Sequence, residues 1–157
     1  MIDRSLMRPR GLLELLRFCR SRAVNLGHER IEATDIVEGE KAYASELLNN
    51  IMFEIRDVFP TGAEVLYEFL ESPVEFQGNT VRQILTQAVG DDQWQRMLDV
   101  LLWYGFLGVV REDQEVTYIY DVTYDMRRLM GLIRRRGDDQ VRFRINPAFW
   151  QALEVRV

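Results

Sequence analysis

Residues 91–120, DDQWQRMLDVLLWYGFLGVVREDQEVTYIY, decide the fold that this sequence predicts. Asp91 can cap a helix, and Gly105 stands where a helix of this length usually ends. Between them, one apolar face recurs every three or four residues and consists of Trp94, Met97, Leu98 and Leu101. Two apolar runs follow at 106–111 and 116–120, separated by a polar turn. We therefore expect a helix followed by a two-stranded hairpin.

The sequence before this stretch predicts further elements of the same domain. A capping box at 61–64 starts one helix, and 74–76 is a short extended segment. Asn79 or Thr80 can then cap another helix. Helix, strand, helix, helix and hairpin is the element order of a winged helix, which joins a helix-turn-helix core to a β wing. The sequence thus predicts a winged-helix-like domain over residues 60–157.

Residues 1–59 predict a helical, lid-like segment made of two helices. Pro9 suits the first turn of the first helix, where its missing N–H costs nothing, and Gly27 ends that helix. The apolar stripe of this helix is Leu12, Leu16, Cys19, Ala23 and Leu26. Thr34 can cap the second helix, which covers roughly 35–58. Its apolar face is Ile36, Tyr43, Leu47, Ile51, Ile55 and Val58.

The C-terminal sequence adds elements that a minimal winged helix lacks. An additional helix is expected over about 123–136, and 140–145 alternates apolar and charged residues as a half-buried strand does. Asn146 and Pro147 suit the start of a final short helix. The fold class is therefore mainly α with a small β component, a helical lid-like bundle followed by a winged-helix-like domain.

Charge is strongly segregated along this chain, whose net charge is −5. Residues 1–30 contain seven arginines and three acidic residues, 31–126 contain five basic and nineteen acidic residues, and 127–144 contain seven arginines and two aspartates. Five arginines of the last block are expected to contact nucleic acid or an acidic partner, namely Arg134, Arg135, Arg136, Arg142 and Arg144. The cations at the end of the predicted helix also suit its negative dipole end. The acidic block of this chain, or of a second copy, offers one such partner surface.

The sequence offers no recognisable catalytic or metal site. One histidine and one cysteine cannot build a zinc site, and no nucleophile motif accompanies His28, which we expect in a surface loop. There is no GxxxxGK[ST] phosphate loop. Apolar runs are too short to span a membrane, and the N-terminal residues lack the apolar core of a secretory signal. We therefore expect a cytoplasmic protein that is not an enzyme and holds no cofactor or metal alone.

Reading of DNA bases by the helix at 91–101 is disfavoured by its charge. In a winged helix this element would lie in the major groove, where basic and amide side chains contact base edges. Here Asp91, Asp92 and Asp99 oppose a single Arg96, so the approach of a polyanion is unfavourable. Contact with a protein is the favoured use of this domain.

Four stretches resemble parts of bacterial P-loop ATPases. Residues 8–13 (RPRGLL) and 31–44 (IEATDIVEGEKAYA) resemble the lid of AAA-type ATPases and are most similar to origin-recognition-like and STAND-like members. Residues 118–126 (YIYDVTYDM) and 143–153 (FRINPAFWQAL) resemble the C-terminal end of a poorly characterised bacterial group associated with stress or phage-defence genes.

The resemblance implies a regulatory function. In such lids an arginine near the start of a helix is the sensor-2 residue, which reaches the terminal phosphates of ATP; here that residue is Arg10, with Arg8 as a lesser candidate. The chain would then be a non-catalytic module that senses the nucleotide state of an ATPase core and contacts protein partners. One alternative is a stand-alone winged-helix nucleic-acid-binding protein that uses the arginines of 127–144. Another is a structural oligomerisation domain, whose acidic and basic blocks pair between copies.

Overall fold

The computed structural model describes residues 2–6, 9–62, 64–137 and 140–156. The chain is mainly helical with a four-stranded antiparallel sheet, which confirms the expected fold class at this level. The α-helices are α1 (Pro9–Leu26), α2 (Ala33–Val58), α3 (Gly78–Val89), α4 (Trp94–Trp103) and α5 (Met126–Arg136). The strands are β1 (Glu75–Gln77), β2 (Leu107–Val110), β3 (Val116–Thr117) and β4 (Arg142–Ile145). In these ranges, every helix is too short or too polar to cross a membrane.

α1 packs on α2 through its small residues rather than through most of its leucines. Its buried residues are Gly11, Leu15, Cys19 and Ala23. The predicted stripe is therefore only partly correct, because Leu16 is 39% and Leu26 is 54% exposed. The two helices approach closely, since a Cβ atom at Gly39 would lie 2.6 Å from Cys19 Sγ. Small side chains on the facing surfaces allow this approach, and they select the buried face.

The start of α2 also differs from the prediction. The residue before the helix is Glu32, and its backbone N–H donates to Asp35 Oδ2 over 2.9 Å. Thr34 consequently lies inside the first turn and is not the cap. At the other end, Val58 is exposed, whereas Tyr43, Ile51 and Ile55 of the predicted apolar face are buried.

The main core joins the C-terminal half of α2 to the sheet and the later helices. Its buried members include Leu48, Ile51, Ile55, Phe69, Leu85, Leu101, Phe106, Phe143 and Phe149. A smaller cluster between α1 and α2 contains Leu15, Cys19 and Tyr43. The division of the chain into units at 1–59 and 60–157 stays a prediction.

Residues 60–69 form two short 3-10 helices, Pro60–Gly62 and Val65–Phe69, where the sequence predicts one helix. Val65, Leu66 and Phe69 are buried in this segment, whereas Leu70 is exposed. Ala63 of the predicted capping box lies outside the described residues. The segment thus still covers the core, but with a tighter backbone than an α-helix.

α3 and α4 are confirmed as helices, although their first residues differ from the predicted ones. α3 begins just before Asn79 and Thr80, and α4 begins three residues after Asp91. Gly105 follows the end of α4 with a φ of +70°, a conformation that favours glycine. The predicted helix end is therefore correct.

The sheet has the strand order β1-β4-β2-β3. β2 and β3 form the expected hairpin, with Val109 opposite Thr117. β4 lies between β1 and β2, so that Phe143 is opposite both Phe76 and Val109. In the hairpin expected as a wing, β2 is consequently an inner strand and only β3 lies at the edge of the sheet, while α5 belongs to the connection between β3 and β4.

The C-terminal elements agree with the prediction. A 3-10 helix, Pro147–Phe149, follows β4, and Asn146 caps it by accepting the N–H of Ala148 at 3.1 Å. The amide Nδ2 of the fully buried Asn146 also donates to the Gly105 carbonyl oxygen (3.0 Å) and to the Tyr120 hydroxyl oxygen (3.1 Å). This one side chain therefore connects the C-terminal segment to the end of α4.

We predict that Gly39→Ala destabilises the contact between α1 and α2. The added Cβ would lie 2.6 Å from Cys19 Sγ and 2.8 Å from the Cys19 backbone nitrogen, so the helices would have to separate. Overpacking of this kind costs about 1–3 kcal/mol and should lower the urea midpoint. Gly131→Ala in α5 is the control, because its Cβ would meet nothing within 4 Å. The control should raise stability by about 0.5–1 kcal/mol, whereas an unchanged midpoint for Gly39→Ala would contradict the close packing.

Candidate functional site

Arg10 lies on the first turn of α1, and its side chain is 91% exposed. Its Nε donates to Glu14 Oε1 over 3.2 Å. The next residue, Gly11, is buried, and a Cβ atom there would lie 2.7 Å from the Tyr43 hydroxyl oxygen. α1 is thus oriented so that Gly11 faces the protein interior and Arg10 faces solvent. The other sensor-2 candidate, Arg8, lies outside the described residues.

A cleft of about 450 Å³ lies beside Arg10. Its walls include Glu14, Glu54 and Tyr104. Burial raises the pKa of the Tyr104 phenol, and the nearby charges of Glu54 and Asp57 raise it further. Two carboxylates thus face one arginine in the described lining, which is an unfavourable setting for a phosphate. The exposed guanidinium of Arg10 thus lies at a cleft whose described lining is not favourable for an anion.

Arg142 and Arg144 on β4 share one carboxylate of the neighbouring strand. Arg144 Nε donates to Glu75 Oε1 over 2.8 Å, and Arg142 Nη1 donates to Glu75 Oε2 over 3.2 Å. Arg142 Nη2 also donates to Gln114 Oε1 over 2.8 Å. Both guanidinium groups are half-buried. The structure brings these two predicted residues together, but it directs them to Glu75 rather than to open solvent.

The other three predicted arginines lie at the end of α5. The Arg136 guanidinium donates to the backbone carbonyl of Val110, which is directly opposite Arg142 in the sheet. Arg134 and Arg135 are exposed and make no ion pair with the part of the chain that the structure describes. Of the five predicted contact residues, three are therefore bound within the chain and two are open to solvent.

Two further arginines belong to the same surface, although the sequence analysis did not single them out. Arg127 and Arg128 are exposed at the start of α5. They precede Arg134 and Arg135 by seven residues, which is close to two helical turns, so the four side chains lie on one side of the helix. This spacing was the signal that could have identified them.

α4 presents carboxylates rather than free cations. Asp91 and Asp92 are exposed before its first turn, and Asp99 is half-buried on the helix, where burial raises the pKa of its carboxyl. The Arg96 guanidinium lies over the Phe59 ring, 5.4 Å from its centroid. The surface of α4 is therefore poorly suited to base edges or phosphates.

His28 lies in the loop between α1 and α2, as expected, and is held there by an aspartate at the start of α2. Its Nδ1 lies 2.8 Å from Oδ2 of the fully buried Asp35, the oxygen that also accepts the Glu32 N–H. The hydrogen bond with Asp35 raises the pKa of His28. The backbone hydrogen bond from Glu32, followed by the one with His28, lowers the pKa of Asp35. The pair fixes the turn between α1 and α2.

The neighbouring cysteine does not supply a nucleophile for this histidine. Cys19 is fully buried against the backbone of α2 at Gly39. Burial is the main cause that raises the pKa of its thiol. A neutral, inaccessible thiol is a poor nucleophile, so the geometry around His28 serves packing and the turn.

Comparison with known proteins relates the N-terminal part of the chain to a family of helical domains. Residues 1–52 match the family model of a FunZ-associated C-terminal helical domain. The match covers 52 of the 157 residues and includes α1 and most of α2. No curated protein and no solved structure matches this chain. The N-terminal third is therefore similar to a helical accessory domain.

We predict that the His28–Asp35 pair stabilises the protein most strongly at mildly acidic pH. Because the pKa of His28 is raised from 6.5, its contribution is complete below that value and is lost as the pH rises through the raised pKa. Because the pKa of Asp35 is lowered from 3.8, its contribution is present above that value and is lost as the pH falls through the lowered pKa. His28→Gln should thus reduce the free energy of unfolding more at about pH 5.5 than at about pH 9 in urea titrations. An equal reduction at both would contradict the interaction.

We predict that Glu75→Gln destabilises the sheet, because it leaves the half-buried Arg142 and Arg144 without their shared carboxylate. Loss of hydrogen bonds to charged groups costs about 1–3 kcal/mol, measurable by urea unfolding. Glu14→Gln is the matched control, since it removes only the exposed pair with Arg10 and should change stability by less than about 0.5 kcal/mol. Equal effects of the two substitutions would show that Glu75 is no more than a surface partner.

Proposed function

We propose that this chain is a non-catalytic accessory module of a P-loop ATPase, in which Arg10 contacts the terminal phosphates of a nucleotide held by the ATPase core. The exposed position of Arg10 on the first turn of α1 carries the proposal. Within the described residues its guanidinium pairs with Glu14 at the surface. An exposed pair contributes only about 0–1 kcal/mol, so a phosphate can replace Glu14 as the partner.

The comparison with known proteins supports an accessory role. Residues 1–52, which include Arg10, are similar to a helical domain that its family description places at a C-terminal position. The resemblance of residues 8–13 to ATPase lids indicates the kind of core that such a domain would serve. The carboxylates that line the cleft beside Arg10 make it unfavourable for this chain to bind a nucleotide there by itself. This favours a nucleotide site on the ATPase core.

The proposal assigns no catalytic step to this chain. The chemistry of the described side chains supports this choice. A general base or nucleophile must reach its substrate. Cys19 is a buried thiol whose pKa is raised, so it is not a nucleophile that His28 could activate. The proposed roles are therefore regulation and contact with protein partners, with ATP as the ligand of the core.

We predict that Arg10→Ala slows ATP hydrolysis by the P-loop ATPase that contains or binds this chain. Removal of one group that stabilises charge on the transferred phosphate should lower kcat by about 10²–10³-fold, while nucleotide affinity changes little. Phosphate release gives kcat, and fluorescent-nucleotide titration gives affinity. Arg20→Ala, an exposed arginine on the same helix, is the matched control and should leave kcat unchanged.

Two results would refute the proposed function. One is an unchanged kcat for Arg10→Ala in that ATPase. The other is ATP hydrolysis by the isolated chain at a rate that depends on one of its own residues, since the proposal assigns hydrolysis to the core.

A further inference from the structure

α5 carries an outward surface that the proposed function does not use. It consists of Arg127, Arg128, Arg134 and Arg135, all exposed, and is called the α5 arginine face below. The opposite side of α5 is anchored in the core by Leu129 and Ile133. The two arginine pairs are separated by seven residues, or about 10 Å along the helix.

No acidic side chain of α5 compensates the positive charge of the α5 arginine face. α5 has the sequence MRRLMGLIRRR and contains no acidic residue. Asp125, the residue just before α5, caps the helix start, where its Oδ1 accepts the N–H groups of Arg127 (3.0 Å) and Arg128 (3.4 Å). None of the four guanidinium groups forms an ion pair with the described residues. Asp138 and Asp139, which follow α5 in the sequence, lie outside those residues.

The centre of the face is open. Gly131 lies between the two arginine pairs, and a Cβ atom added there would meet nothing within 4 Å. No side chain therefore rises between the pairs, and an extended ligand can approach the helix backbone while it contacts arginines on both sides.

The composition of the face indicates the chemistry of its ligand. Protein-binding surfaces have an apolar centre with aromatic side chains, whereas nucleic-acid interfaces are more polar and much more positive. Here the centre is a glycine and the margins are arginines, whose planar groups bind phosphates through two parallel hydrogen bonds. Single strands require aromatic stacking platforms, and α5 has no aromatic residue.

We propose that the α5 arginine face binds the phosphate backbone of a nucleic-acid duplex without reading its sequence. The four arginines contact up to four phosphates across the opening at Gly131. Base edges are left unread, because the carboxylates of Asp91 and Asp92 before α4 and of Asp99 on α4 make that region unfavourable for the approach of a polyanion.

The test measures binding of the whole chain to a fluorescent 20-base-pair DNA duplex by anisotropy at 50–200 mM salt. Contact with four phosphates predicts a slope of about −3.6 for log affinity against log salt, a loss of about 150-fold over that range. The double variant Arg134→Ala/Arg135→Ala should halve the slope, which leaves a loss of about 12-fold. The quadruple variant at all four positions should not bind measurably.

The matched control is Arg17→Ala/Arg20→Ala, which removes two exposed arginines from α1 and changes the net charge equally. Its slope should equal that of the wild type. Thermal unfolding must agree among the variants, which separates lost contact from lost folding. Duplex RNA and DNA of unrelated sequences should bind within a few-fold of each other, as expected for backbone contact.

Several results would overturn the proposal: no binding at 50 mM salt, an unchanged slope in the quadruple variant, or an equal loss in the α1 control. A single strand that binds as tightly as the duplex would also overturn it. So would self-association through the face, with the acidic surface of a second copy as its ligand and no duplex bound. None of these results depends on Arg10, so the two proposals fail separately.

Discussion

The burial of β4 between β1 and β2 is the constraint on which the rest of the structure depends. Phe143 is opposite Phe76 on one side and Val109 on the other, so one late strand joins two earlier parts of the chain that do not otherwise pair in the sheet. A strand covered on both edges has all its backbone groups in the ladder, and its apolar side chains fill the core beneath. Asn146, directly after the strand, secures the same junction by its hydrogen bond to the Gly105 carbonyl oxygen.

This position of β4 also determines which arginines remain available. Because β4 lies beside β1, the half-buried Arg142 and Arg144 meet Glu75. Because the end of β2 lies beneath the end of α5, Arg136 donates to the Val110 carbonyl. The remaining arginines of α5 are directed outward by the burial of Leu129 and Ile133. Sheet topology thus separates the arginines that bind within the chain from those that are exposed to solvent.

Local sequence signals predicted much of this structure but not its long-range pairings. Periodicity and turn residues identified α1 to α5 and the strands, because those signals arise within a few residues. The strand order was not predictable, since the partner of Arg144 is Glu75, 69 positions away. The buried face of α1 was misjudged because the count of leucines favours Leu16, whereas the contact is decided by Gly39 of α2 against Cys19. For the candidate site, Arg10 was singled out by the resemblance of residues 8–13 to ATPase lids and stays a prediction, whereas the internal partners of Arg136, Arg142 and Arg144 required the contacts of the folded chain.

The late position of β4 in the sequence has a consequence for synthesis on the ribosome. β1 and β2 emerge well before residues 142–145, and until then neither has its central neighbour. The hairpin of α1 and α2 is built from contacts close in sequence and can form early, whereas closure of the sheet waits for nearly the entire chain. During that interval β1 and one edge of β2 lack their central partner, and unpaired strand edges of this kind can pair with another chain.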